Sequence, residues 1–273
     1  MKILTLTTDF GIGDFGIGQM QGVIWKIASE TRIIDLSHDI APQDIHQAAL
    51  MLGRTTPYFP PGTVHVVVVD PGVGTQRRAI AAELGNQFFV GPDNGVLHFM
   101  LENAKKAGGP ITIVHLDKPE YWLTDVTKVF HGRDIFSPVG AYISKGISLL
   151  DLGTPILNAI QLIGLQAVPI PGGWQAKVID IDHFGNLQVN LMPQDLNDPQ
   201  DIHIQVGDVR IQGLVNTFGD RPPGDLIALI DSYDHLCISI VNGSAADKLK
   251  IRVGDPVVVR FNTQQEKILL YRN

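Results

Sequence analysis

Residues 66–70 read Val-Val-Val-Val-Asp, and this run constrains the rest of the chain more than any other stretch. Successive side chains of a strand face opposite sides of its sheet, so a strand apolar at every position needs cover on both faces. Such a strand belongs inside a sheet with helices above and below it. Asp70 stands at its carboxyl end, and Pro71-Gly72-Val73-Gly74 then turns the chain toward Arg77 and Arg78. In open α/β sheets the crevice beyond the strand ends is where ligands bind. A lone Asp there could do no more than satisfy turn N–H groups. Two further clusters close β-like stretches in the same way, Thr7-Thr8-Asp9-Phe10-Gly11 and Phe130-His131-Gly132-Arg133-Asp134. Three polar clusters at strand ends point to a site.

The surrounding pattern agrees with that sheet. Residues 2–7, 32–36, 63–70 and 111–116 read as strands, with 79–84 and 88–90 as a pair. Residues 18–29 carry Met20, Val23, Ile24 and Ile27 on one helical face, and 45–54, 95–102 and 135–145 read as further helices, the last stopped by Gly146. The alternation predicts a mostly parallel sheet in a three-layer α/β domain. Pro155, Pro169, Pro171, Gly172 and Gly173 are dense in breakers and read as a linker. Beyond them, short strands separated by Pro, Gly, Asn and Asp predict an all-β, barrel-like domain. The expected division is an α/β domain over residues 1–165 and a β-barrel-like domain over 172–273.

Composition excludes several classes. A 273-residue chain that is 44% hydrophobic can bury one large core or two ordinary ones. A net charge of −7 without any Lys/Arg run argues against nucleic acid as a partner. The single cysteine, Cys237, rules out an internal disulfide and any CxxC motif, and its apolar neighbours predict a buried small hydrophobe. The amino terminus turns polar too soon for a signal peptide, and no stretch is long and apolar enough for a membrane span, so a cytoplasmic location is expected. His38-Asp39 with His46 lacks a third ligand at regular spacing, which predicts a solvated loop and no metal site. Arg133 and Asp134 read as a surface pair or a helix cap, Asp93-Asn94-Gly95 as a turn, and Trp25, Trp122 and Trp174 as packing.

Gly11-Ile12-Gly13-Asp14-Phe15-Gly16 matches the dinucleotide fingerprint, with Asp35 about 20 residues further on. However, Asp14 lies inside the loop that would cradle the diphosphate and Asp9 just precedes it. Like charges there would cost several kcal/mol, so no nicotinamide cofactor is expected. An acidic loop better suits a ribose, whose two vicinal hydroxyls can both donate to one carboxylate.

Six segments occur in order: TDFG at 8–11, VDPGVGTQRR at 69–78, GPDNG at 91–95, FHGRDIF at 130–136, DHFGN at 182–186 and NGSAA at 242–246. Together with the α/β-then-β layout they resemble the S-adenosylmethionine (SAM) hydroxide adenosyltransferases, or SAM hydrolases, the water-using branch of the fluorinase and chlorinase superfamily. The resemblance implies hydrolysis of SAM to adenosine and methionine by in-line attack of water or hydroxide on C5′, with no metal or other cofactor. It places a catalytic Asp-Arg-His triad on Asp70, Arg77 and His131, and the ribose-diol carboxylate on Asp9. It assigns the methionine ammonium to Asp182, the flanks of the adenine to Phe184 and Asn186, the methionine carboxylate to Ser232 and Tyr233, and a backbone contact with adenine to Asn242. It further implies a homotrimer with active sites shared between neighbouring subunits. The halogenases lack the Asp-Arg-His combination, which favours water over halide; a halide-dependent halogenase and a non-catalytic SAM or nucleoside sensor are the alternatives.

The residue types suit that chemistry. A sulfonium leaves without help, so the hard part is the nucleophile, because water has a pKa of about 15.7. An Arg cation favours the anionic form of a neighbouring water, and a neutral His can take its proton. Asp70 would orient the water or the Arg. Alignment with the C5′–S bond adds a proximity term of about 7–11 kcal/mol.

Overall fold

The computed structural model describes residues 2–196 and 201–261, and the chain divides into two compact units, Met1–Leu162 and Ile163–Asn273. Residues 262–273 of the expected second domain lie outside the described residues.

The first unit runs β1 (Ile3–Thr8), α1 (Phe15–Ile27), β2 (Arg32–Ser37), α2 (Ile45–Thr55), β3 (Val64–Val68), β4 (Ala79–Leu84), β5 (Gln87–Pro92), α3 (His98–Ala107), β6 (Ile111–His115), α4 (Ser137–Ser144), α5 (Leu149–Leu152) and β7 (Thr154–Pro155). Its sheet has the order β2-β1-β3-β5-β4-β6-β7. Strands β1, β2, β3, β5 and β6 run one way, and β4 and β7 run the other. The sheet is therefore mostly parallel, and the β4–β5 pair is an antiparallel hairpin.

The valine run does what its pattern requires. Val64, Val66 and Val68 pack with Met20 and Ile24 of α1 and Val139 and Ile143 of α4. Val67 and Val69 pack on the opposite face with Ala48 and Leu52 of α2 and Met100 and Leu101 of α3. Each fully buried valine contributes about 1.5–3 kcal/mol, and the two helical layers follow from having to cover both faces. His65 interrupts the run without leaving the core. Its Nδ1 lies 2.8 Å from Thr5 Oγ1 and its ring stacks on Phe89 at 5.0 Å. Burial pushes its pKa from 6.5 down to about 3. Between those values the unfolded chain binds a proton that the folded chain refuses, so His65 withdraws stability as pH falls from 6.5 toward 3.

Helix boundaries depart from the apolar periodicity where caps intervene. Helix α1 starts at Phe15 because the Asp14 carboxylate accepts Gly16 N–H at 2.6 Å. The glycine-rich loop is thus a helix start already capped by an anion. Helix α3 starts at His98, since Gly95 adopts a left-handed turn with φ of +98°.

The second unit contains β8 (Val168–Ile170), β9 (Gly173–Ile181), β10 (Leu187–Val189), β11 (Ile202–Val206), β12 (Val209–Gln212), β13 (Leu226–Ile230), β14 (Leu236–Ile240), α6 (Ala245–Leu249) and β15 (Pro256–Phe261). All pairings are antiparallel, in the order β12-β11-β15-β9-β10-β14-β13 with β8 added on β9, a nearly closed barrel-like sheet. Val178, Leu187, Ile204, Ile238 and Val259 fill its interior, and Cys237 is buried beside Leu229 and Val241. The breaker-rich stretch read as a linker is not wholly one. Pro155 lies in β7 and Pro169 in β8, both short peripheral strands where a missing N–H is tolerated.

Candidate active site

Strand β3 ends at Val68 and delivers Asp70 to the carboxyl edge of the sheet. The following loop folds back on itself through Val73 N–H to the Asp70 carbonyl at 3.2 Å and Thr75 Oγ1 to the Gly72 carbonyl at 2.7 Å. Gly74 is essential to that path. Its φ is +76°, and a Cβ there would sit 2.3 Å from the Lys128 carbonyl oxygen. The loop returns Arg77 to Asp70. Arg77 Nε donates to both carboxylate oxygens, at 2.9 and 3.0 Å, and Nη2 also donates to Oδ2. The side chains of Asp70 and Arg77 are only 5% and 10% exposed, so the pair is weakly screened. The guanidinium also lies over the Phe136 ring, 5.2 Å from its centroid.

His131 precedes a π-helical turn, Gly132–Phe136, that leads into α4. Turns of this kind are rare and concentrate at functional sites. Gly132 is packed against Val68, Met20 and Phe130, where a Cβ would press at 3.1–3.3 Å. Arg77 Nη2 lies 2.9 Å from His131 Nδ1. A guanidinium only donates, so Nδ1 must accept, and neutral His131 carries its proton on Nε2. Burial first, then the Arg77 charge, lowers the pKa of His131 below 6.5, against the opposing pull of Asp70 and Asp134. With Nδ1 occupied, the remaining ring nitrogen presents an N–H. In this arrangement His131 donates to what lies beyond it, whereas the residue types alone suggested a proton acceptor.

Asp9 follows β1, whose Thr8 pairs with Val68 of β3, so Asp9 and Asp70 stand at the same sheet edge. Gln43 N–H donates to Asp9 Oδ2 at 2.7 Å from a left-handed residue with φ of +66°. His38 does not lie in a solvated loop as expected. Its side chain is only 10% exposed, its Nδ1 lies 2.9 Å from Thr8 Oγ1, and its carbonyl accepts Gly11 N–H at 2.8 Å. An edge-to-face contact between Phe10 and Phe130 joins the first and third polar clusters.

Arg133 and Asp134 are not a surface pair. Asp134 is 0% exposed; it accepts Arg133 Nε at 2.6 Å and Thr127 N–H and Oγ1–H at 2.8 and 2.7 Å. Burial pushes its pKa up, but the bonds from Arg133 and Thr127 outweigh this and hold it below the usual Asp value. The carboxylate therefore ties the loop before His131 to the π-turn after it. The only trace in the sequence is a carboxylate placed directly before the apolar pair Ile135-Phe136. Asp93 was likewise more than a turn residue: it is buried and bonded to Arg78 Nε at 2.8 Å.

In the second unit, Asp182 organises its own hairpin. Its Oδ1 accepts Phe184 N–H and Asn186 N–H at 2.9 Å each, and its Oδ2 accepts Asn186 Nδ2 at 2.7 Å. The Phe184 ring is exposed. Gly185, with φ of +81°, packs on Ser244, and its carbonyl accepts Ala246 N–H at 3.0 Å. This places Asn242, itself at φ of +55°, beside the same hairpin. Ser232 and Tyr233 lie elsewhere, in the β13–β14 turn capped by Asp231. The register Leu187↔Ile238 and Val189↔Leu236 sets that turn at the far end of β14, about 14 Å away at ~3.4 Å per residue. Asp182 and Ser232-Tyr233, expected to share one amino-acid head group, are not brought together within the unit.

Among the described residues no cluster of three His, Cys, Asp or Glu side chains could hold a metal ion, and no helix is long and apolar enough to cross a membrane.

Comparison with known proteins matches residues 4–153 to the SAM hydroxide adenosyltransferase N-terminal domain and residues 176–258 to the C-terminal domain of the same family. The chain is 38% identical over 260 residues to an (R)-S-adenosyl-L-methionine hydrolase of Salinispora tropica, covering 92% of this chain and 95% of the relative. A protein of the same description from Thermus thermophilus is 33% identical, covering 94% and 99% of the two chains. Among solved structures, an uncharacterized conserved protein from Thermotoga maritima superposes with a TM-score of 0.85 at 31% identity, covering 94% and 99%.

Proposed function

The chain belongs to the SAM hydroxide adenosyltransferase family, and on that premise we propose that it hydrolyses S-adenosyl-L-methionine to adenosine and L-methionine. The observation that carries this reading is the Asp70–Arg77–His131 chain of hydrogen bonds. An oxygen of water or hydroxide bonds to C5′ while the C5′–S bond breaks. The bonding pair stays on sulfur, which leaves as the neutral thioether of methionine, and the surplus proton goes to solvent. Arg77, held by Asp70, supplies the positive charge that favours hydroxide at the site. Its Nη2–H also sets the His131 tautomer, so that Nε2–H can hold the oxygen in line with the breaking bond. Asp9 accepts from the ribose hydroxyls, its carboxylate held by Gln43 N–H. Asp182, Phe184, Asn186 and Asn242 supply contacts to the rest of the substrate. The reaction needs no metal or redox cofactor.

Incubation with SAM followed by chromatography checks the reaction, with adenosine and methionine expected in equal amounts and unaffected by EDTA. Reaction in 18O-water should label the adenosine 5′-oxygen. A 5′-halo product would make the protein a halogenase, and unchanged SAM that nonetheless binds would make it a sensor.

The acid limb of activity follows from His131. Its lowered pKa makes the neutral ring the major form at pH 6.5 and above. In more acidic solution it gains a proton on Nδ1, facing the Arg77 cation, and the bond between them is lost. The acid limb of the kcat profile should therefore be centred below pH 6.5, in step with the His131 resonance in an NMR titration. An acid limb centred above that value would remove His131 from the role.

We also propose a homotrimer in which each site draws on two neighbouring chains. The reading is supported by the separation of the assigned residues into two sets, each held by its own hydrogen bonds on a different unit. Mixing Asp70→Asn chains with Asp182→Ala chains, each inactive alone, should restore part of the activity. A fully active monomer in light scattering would overturn the assembly.

A further inference from the structure

Two consecutive arginines follow the loop that begins at Asp70, and each has an aspartate of its own. Arg77 meets Asp70, while Arg78 donates through Nε to Asp93 Oδ2 at 2.8 Å. The rest of the Arg78 guanidinium is held by Asn158, through Nη1 to its Oδ1 and Nη2 to its carbonyl, both at 2.8 Å. Asp93 is 2% exposed, and its second oxygen accepts Ile160 N–H at 2.8 Å. Its own backbone N–H donates to the Arg78 carbonyl at 3.0 Å. The next residue reaches the other end of the loop: Asn94 Nδ2 donates to the Val69 carbonyl at 2.9 Å, while Asn94 Oδ1 accepts Val96 N–H at 3.1 Å.

One turn at the end of β5 therefore grips Val69, directly before Asp70, and Arg78, directly after Arg77. We propose that Asp93 and Asn94 are positioning residues: they clamp both ends of the 70–77 loop and, by engaging Arg78, leave Arg77 as the arginine that meets Asp70 and His131. For its catalytic half this rests on the reaction proposed above. The bonds of the clamp residues given above all go to protein groups, and no contact with the substrate is assigned to them. Their effect is on alignment, where a displacement of about 1 Å costs roughly 10²-fold in rate.

The test uses Asn94→Asp, which is isosteric and keeps the acceptor for Val96 N–H but sets an oxygen against the Val69 carbonyl, and Asp93→Asn, which removes the charge facing Arg78. Both are measured for kcat, for KM, and for the His131 titration by NMR without substrate. The expected result is kcat lower by about 10–10²-fold, KM within about twofold, and a His131 pKa moved up toward 6.5 as the Arg77 cation drifts from the ring. Should Asn94→Asp fail to fold, Asn94→Ser, which still reaches Val96 N–H, carries the same measurements. Wild-type kcat and an unmoved His131 titration would overturn the proposal. A fall in kcat with an unmoved titration would overturn it too, since that is the mark of a merely structural loss. The titration is independent of turnover. If the wild-type protein left SAM intact while the variants still moved His131, the reaction would be wrong and the clamp right.

Discussion

Arg77→Ala should lower kcat for SAM hydrolysis by about 10²–10³-fold, the usual cost of removing one preorganised donor from a site where charge is stabilised. The variant deletes the cation and leaves the Asp70 carboxylate, 5% exposed, without its partner. It also frees His131 Nδ1, so the ring is no longer confined to the tautomer that presents Nε2–H. KM should change much less, because in the proposed mechanism Arg77 acts on the nucleophile and not on the bound nucleoside. Arg77→Lys should recover little of the rate. A single ammonium keeps the charge but cannot span both Asp70 oxygens and the His131 ring as the guanidinium fork does. Asp70→Asn and His131→Ala should likewise reduce kcat more than they raise KM. Steady-state kinetics on folded protein checks all four: unchanged turnover in Arg77→Ala, Asp70→Asn or His131→Ala would exclude that residue from the chemistry, and full activity in Arg77→Lys would show that charge alone suffices.

Asp134→Ala should have the largest effect on stability, about 3 kcal/mol, seen as a fall in Tm on the order of 10 °C. The wild-type carboxylate is 0% exposed and satisfies Arg133, the Thr127 N–H and the Thr127 hydroxyl together. Truncation strands those donors and unties the loop that precedes His131. Asp134→Asn, which keeps the shape and one acceptor, should lose distinctly less. Thermal unfolding by circular dichroism settles the comparison, and a shift under about 1 kcal/mol for the alanine variant would show the network to be dispensable.

What could be read from the residues follows from the range of the forces involved. The β3 valines declared their strand because burial on both faces leaves no other pattern, and α1 and α2 showed their apolar faces at helical spacing. Asp70 stood out because it closes a buried strand, but the choice of Asp70, Arg77 and His131 together rested on the resemblance carried by the six ordered segments, since His131 follows a long loop after β6 and no strand end marks it. Asp134 could not be singled out, since its partner Thr127 approaches only when the intervening loop closes around it. The π-turn was equally silent: Ile135, Phe136, Val139 and Ile143 carry an apolar face that an ordinary helix over 135–145 would explain as well. His38 read as solvated because its cover comes from the end of β1, thirty residues earlier. The opposite placement of Asp182 and Ser232 is a matter of strand register, which no local spacing records.

The apolar clusters of each unit are drawn from that unit's own residues, Leu4 to Ala159 for one and Ala167 to Phe261 for the other. Cooperativity in melting reaches only as far as shared buried surface. Each core should therefore melt as one cooperative block of its own residues. If the site is shared between the two kinds of unit as proposed, activity ends once either core opens, so the loss of activity with temperature reports the frailer core and says nothing about the sturdier one.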